Sequence, residues 1–69
     1  MREWLKRVRK EKGLTQEEVA SRAFINRAFY SQIENGSRNP SYDVARNIAN
    51  VLKFNSSAFF TDTLSEPFQ

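Results

Sequence analysis

The stretch LTQEEVASRAFINRAFYSQIENGSRNPS, Leu14 to Ser41, fills the middle of a 69-residue chain, and its reading decides the rest. TQEE forms a capping box: the Thr15 hydroxyl accepts from the Glu18 amide while the Glu18 carboxylate reaches back. Val19, Ala20 and Ala23 then recur at helical spacing and make a narrow apolar stripe. A turn falls at Phe24 and Ile25. Asn26 is placed to cap a further helix over about 27–35, and Gly36 stands where a left-handed residue closes it. SRNPS reads as a loop, because Pro40 forces Asn39 into an extended conformation.

The same punctuation orders the flanks. Upstream, a helix begins near Arg2 or Glu3 and ends at Gly13, with Lys10 and Lys12 in its last turn, where cations suit the helix dipole. Leu5 and Val8 share its apolar side, with Arg9 beside them and Trp4 adjoining. Downstream, Ser41 caps a helix whose inner face is Val44, Ala45, Ile48, Ala49 and Leu52. Asn55 caps a short last helix that is expected to run to about Phe60. No segment alternates as a strand does and none repeats, so the expected fold is all-α, five short helices in one domain. The domain is expected over residues 1–61, with 62–69 as a C-terminal tail.

Composition narrows the function classes. There is no histidine or cysteine, no glycine-rich loop and no metal-ligand pattern, so neither an enzyme nor a cofactor is expected. Glu17 and Glu18 are explained by helix capping. No apolar run approaches the roughly 18 residues of a membrane span, and MREWLKRVRK lacks a signal peptide's apolar segment. A soluble, cytoplasmic protein is the expectation. Residues 1–53 hold all 11 Lys and Arg and six of the eight acids, a net of +5, whereas 54–69 hold only Asp62 and Glu66. An anionic partner would meet the front of such a molecule.

At 100° per residue the third helix sorts into two faces. Phe29, Tyr30 and Ile33 form an inner side with Glu34 at its margin; Arg27, Ala28, Ser31, Gln32 and Asn35 form an outer one. Arg and Gln side chains make bidentate hydrogen bonds to guanine and adenine, and a small apolar group meets the thymine methyl. The same residues would also serve as an ordinary solvated face. Two short helices joined by a tight turn make a helix-turn-helix. The amides at Thr15 and Gln16, before the reading face, and those near Asn35, Ser37 and Arg38, after it, are candidate phosphate contacts.

LTQEEVA…INRAFYSQIENGSRNPS resembles the lambda-repressor-like, Cro/Xre family of helix-turn-helix DNA-binding proteins of bacteria and phages, and the likeness covers about residues 5–60. It implies a five-helix domain with helices two and three as the helix-turn-helix and helix three in the major groove of double-stranded DNA. Base reading would fall to Arg27, Ala28, Ser31 and Gln32. Phosphate contact or positioning would fall to Thr15, Gln16, Asn26, Asn35, Ser37 and Arg38. Arg9 and Glu34 would form a half-buried structural ion pair. The implied protein is a small transcriptional regulator, a repressor, binding a palindromic operator as a homodimer. A protein-interaction module on the same fold, antitoxin-like or an adaptor, is the alternative. No effector domain is expected after residue 60, nor small-molecule control within this chain.

Two positions depart from the family's pattern, which has glycine in the turn between helices two and three and again after helix four. Here they are Phe24 and Lys53. Either Phe24 takes left-handed backbone at a cost of roughly 1 kcal/mol or more, or the turn is built differently. Phe29 has two readings, core packing or contact with a thymine methyl or sugar. Trp4 is expected against the C-terminal segment, and Phe59 and Phe60 to close the core. Arg2, Lys6, Arg7 and Lys10 read as a solvated helix face, and Arg22 and Arg46 as surface charges. Leu64 and Phe68 would lie against a second subunit or in a frayed terminus.

Overall fold

Each helix begins at a side chain that accepts a backbone amide, except the first. The computed structural model describes residues 1–64, the last four as backbone alone. The order is α1 (Glu3–Glu11), α2 (Gln16–Arg22), α3 (Arg27–Asn35), α4 (Tyr42–Leu52) and α5 (Ser57–Leu64), with no strand among the described residues. At α2 the capping box is complete: Glu18 N donates to Thr15 Oγ1 at 3.0 Å and Thr15 N to Glu18 Oε1 at 2.8 Å. Asn26 Oδ1 accepts from Phe29 N at 2.7 Å to start α3, and Ser41 Oγ accepts from Val44 N at 3.2 Å to start α4. Asn55 Oδ1 accepts from Ser57 N at 2.9 Å. These bonds satisfy amides that a helix's first turn otherwise leaves open.

The core follows the stripes read from the sequence. Leu5, Val19, Ala20, Ala23, Tyr30, Ile33, Ala45, Ile48, Ala49, Leu52 and Phe59 are buried, with Val8, Phe29, Val44 and Phe60 half-buried against them. Trp4 meets the C-terminal segment as expected, its ring edge-on to Phe54 at 5.4 Å and to Phe59 at 5.2 Å. Helix α5 does not stop near Phe60. Its backbone continues to Leu64, because no glycine or proline interrupts 61–64. Phe68 lies outside the described residues, as does the Leu64 side chain. Among the described residues, no helix is long and apolar enough to cross a membrane.

Both departures from the glycine pattern keep the glycine geometry. Phe24 has φ 65° and Lys53 φ 63°, each left-handed. After α2, Ile25 N donates to Ala20 O at 3.0 Å and Phe24 N to Ser21 O at 3.2 Å, the paired bonds of a Schellman closure. The turn is therefore not rebuilt: Phe24 holds the strained conformation with its ring 85% exposed. Asn47 of α4 steadies this turn, its Nδ2 donating to Ala23 O at 3.3 Å.

Arg2 is not part of a solvated helix face but is buried, at 5% exposure. Its Nη1 donates to Ile33 O at 2.6 Å and Arg38 O at 3.3 Å, and its Nη2 to Asn39 Oδ1 at 2.7 Å. The guanidinium thus meets the carbonyl end of α3, where a cation is favoured. Arg7 and Lys10 are exposed as expected, and Lys6 is half-buried.

Candidate nucleic-acid interface

Helix α3 is held from behind by a buried polar cluster. Glu34 accepts from Arg9 Nε (2.8 Å) and Tyr30 Oη (2.8 Å) on Oε2, and from Arg9 Nη2 (3.2 Å) and Gln16 Nε2 (2.9 Å) on Oε1. Arg9 Nη1 donates onward to Leu14 O at 2.9 Å. One carboxylate therefore ties α1, the start of α2 and α3 together. Burial pushes the Glu34 carboxyl up, but hydrogen bonds from Arg9, Gln16 and Tyr30 outweigh it and hold it below its ordinary value. Burial, reinforced by the bond to Glu34, pushes the Tyr30 phenol up. The bond to Glu34 likewise raises Arg9 against the opposing effect of burial. All three groups therefore keep their neutral-pH charge states.

The opposite face of α3 is open. Arg27, Ala28, Gln32 and Asn35 are exposed and Ser31 is half-buried. On one flank Arg27 lines a shallow groove with Thr15, Gln16 and Gly13, at the first turn of α2. On the other, Arg38 lines a groove with Asn26, Ala28, Phe29 and Gln32. The loop after α3 is folded onto that helix: Arg38 N donates to Gln32 O at 3.2 Å, Ser37 N to Asn35 Oδ1 at 2.9 Å and Ser37 Oγ to Gln32 O at 3.4 Å. The Arg38 guanidinium lies over the Phe29 ring, 5.4 Å from its centroid.

These placements sort the residues singled out from the sequence. The candidate readers Arg27, Ala28 and Gln32 come together on one exposed surface, with Ser31 at its edge. Asn26 and Asn35 stand at the two ends of α3, but their side-chain oxygens already serve Phe29 N and Ser37 N. Gln16 is turned toward Glu34, and that bond uses one of its two amide N–H donors. Sequence reasoning missed the Tyr30–Glu34 bond, although the two stand four apart on one helix and the spacing could have revealed it. It also missed Arg2, which nothing in a run of basic residues distinguishes.

Residues 3–64 match the helix-turn-helix domain family. The chain belongs to the Cro/Xre-like helix-turn-helix DNA-binding proteins. Within this family it is 53% identical over 66 residues to an uncharacterized HTH-type transcriptional regulator, YqaF, of Bacillus subtilis (strain 168), covering 96% of this chain and 87% of that protein. It is 39% identical over 62 residues to another such regulator, y4dJ, of Sinorhizobium fredii, covering 90% of this chain and 80% of that protein. The control protein C.MunI of a Mycoplasma species is 41% identical over 63 residues, covering 90% and 85%. No solved structure matches the chain. The match runs from the start of α1 to the end of α5, and α2 with α3 form the helix-turn-helix pair of the expected five-helix, all-α domain.

Proposed function

We propose that this protein reads specific double-stranded DNA as a small transcriptional repressor, with α3 in the major groove. The observation that carries the reading is the two-sidedness of α3. Arg27, Ala28 and Gln32 face outward, while Tyr30, Ile33 and Glu34 anchor the other side. A reader needs donors held still before binding, and the Glu34 cluster supplies that stiffness. Arg27 and Gln32 are the base readers, with Ser31 and Ala28 beside them. Thr15, Gln16, Asn26, Asn35, Ser37 and Arg38 contact or position phosphates through their side-chain donors, beside the open amides of the first turn of α2. The relatives, named as transcriptional regulators and a control protein, accord with this role.

One short reader helix contacts few base pairs, so two copies on a palindromic operator are the expected binding form, with half-site centres about 34 Å apart. The test is selection of random duplexes on the purified chain. A palindromic consensus with that spacing supports the reading. Enrichment of no duplex, together with a protein partner retained at high salt, points instead to an interaction module on the same fold.

A further inference from the structure

We propose that Phe29 is a positioning residue: its ring holds the Arg38 guanidinium on the flank of α3, aimed at a DNA phosphate. This rests on the DNA-binding reading above and goes beyond it by assigning a task to an apolar residue that neither reads bases nor lies fully in the core. Phe29 is half-buried and packed against the core, so its ring is fixed from below. Arg38 is exposed, and its guanidinium carbon lies 5.4 Å from the ring centroid.

The backbone around Arg38 is fixed separately. Arg38 N donates to Gln32 O on α3, and Arg38 O accepts from the buried Arg2. With the backbone pinned and the guanidinium held over the ring, a long flexible residue is ordered before any ligand arrives. Less ordering entropy is then lost on binding. The ring face attracts the cation without using any of the N–H donors that lie in the guanidinium plane. The groove that Arg38 shares with Asn26, Ala28, Phe29 and Gln32 is lined by no carboxylate. A cation presented beside a reader helix, with its donors directed outward, suits the phosphate of a duplex seated on that helix.

The test uses the full chain, a selected duplex and an unrelated one, at several salt concentrations. Arg38→Ala is expected to weaken both duplexes together and to make the slope of log K against log salt shallower by about 1 for each subunit bound. Arg38→Lys keeps the charge and loses the planar guanidinium over the ring, and is expected to weaken binding about two- to fivefold. Phe29→Leu is expected to match that loss, Phe29→Tyr to restore wild-type binding, and Phe29→Leu to cost nothing further once Arg38→Ala is present. In the DNA-free protein the Arg38 δ-methylene protons are expected to show an upfield ring-current shift that Phe29→Leu abolishes. Wild-type affinity in Arg38→Lys, or a Phe29→Leu loss that is equal with and without Arg38, overturns the assignment while DNA binding stands. A wild-type chain that binds no duplex overturns both.

Discussion

Arg9 and Glu34 meet at 2.8 Å, Nε to Oε2, across 25 positions of sequence, and both side chains are largely withdrawn from water. Their pairing fixes α3 against α1 before the outer face of α3 meets anything. Such a pair adds little net stability over apolar residues of the same volume, but breaking it from one side strands a buried charge, at about 3–5 kcal/mol. A 69-residue domain without disulfides has only a few kcal/mol in hand. Glu34→Ala is therefore expected to leave the chain largely unfolded at 25 °C, as measured by circular dichroism and urea titration. A two-state melt close to wild type would show the pair to be dispensable.

The same cluster sets a pH window. Glu34's carboxyl lies below its ordinary value in the folded chain, so its contribution is fully present above the unfolded pKa, about 4.3. It is lost as pH falls through the depressed folded value. Tyr30 is the mirror case. Its raised phenol contributes fully below the unfolded pKa of about 10 and loses that contribution as pH rises further. Urea midpoints are expected to be flat between these limits and to drop on both sides. Tyr30→Phe is expected to flatten the alkaline drop and, by removing one of the bonds that hold the Glu34 carboxyl down, to make the acid drop smaller without abolishing it.

The fold was legible where local chemistry decides it. TQEE, Asn26, Ser41 and Asn55 name their helix starts because a side-chain oxygen meets an amide two or three residues on, within one turn. The apolar stripes of α2, α3 and α4 name the core for the same reason. Arg2 was not legible, because its partners Ile33, Arg38 and Asn39 are more than thirty residues away and one arginine among several carries no mark of burial. Phe24 was legible only as a conflict. The turn demands left-handed backbone, and sequence alone does not say whether strain or a different turn resolves it. The outer face of α3 was readable from periodicity, whereas the placement of Arg38 over Phe29 depends on how the following loop folds back.

Phe24 offers a direct measure of that strain. Left-handed backbone costs a side chain about 1–2 kcal/mol, while glycine's extra freedom in the unfolded chain returns about 0.4–1 kcal/mol of this. With the ring 85% exposed, little packing is lost on truncation. Phe24→Gly is therefore expected to raise stability by about 0.5–1 kcal/mol, read as a higher urea midpoint at unchanged slope. A lower midpoint would mean that the ring makes a stabilising contact outweighing its strain.

Arg2 and Arg7 stand five apart on the same basic segment and are expected to behave oppositely. Arg2→Ala removes donors from Ile33 O, Arg38 O and Asn39 Oδ1 and is expected to cost about 1.5–3 kcal/mol, the range for a hydrogen bond to a charged group. Arg7 is exposed, so Arg7→Ala is expected to change stability by less than about 0.5 kcal/mol. Equal effects in thermal melts would return Arg2 to the solvated face that the sequence suggested.

The readers carry the final prediction. On the selected duplex, Arg27→Ala and Gln32→Ala are each expected to cost about 1–3 kcal/mol per lost bidentate base contact. On unrelated DNA the two differ. Gln32 is uncharged, so its loss should leave the affinity and the salt slope unchanged. Arg27 is a cation beside the first turn of α2, and its removal should lower non-specific affinity by less than it lowers specific affinity. Neither side chain makes a bond that the fold needs, and both are exposed, so melting temperatures should stay within a degree or two of wild type. If either substitution weakened both duplexes equally, that residue would be a phosphate contact, and the reading edge of α3 would have to lie elsewhere on its circumference.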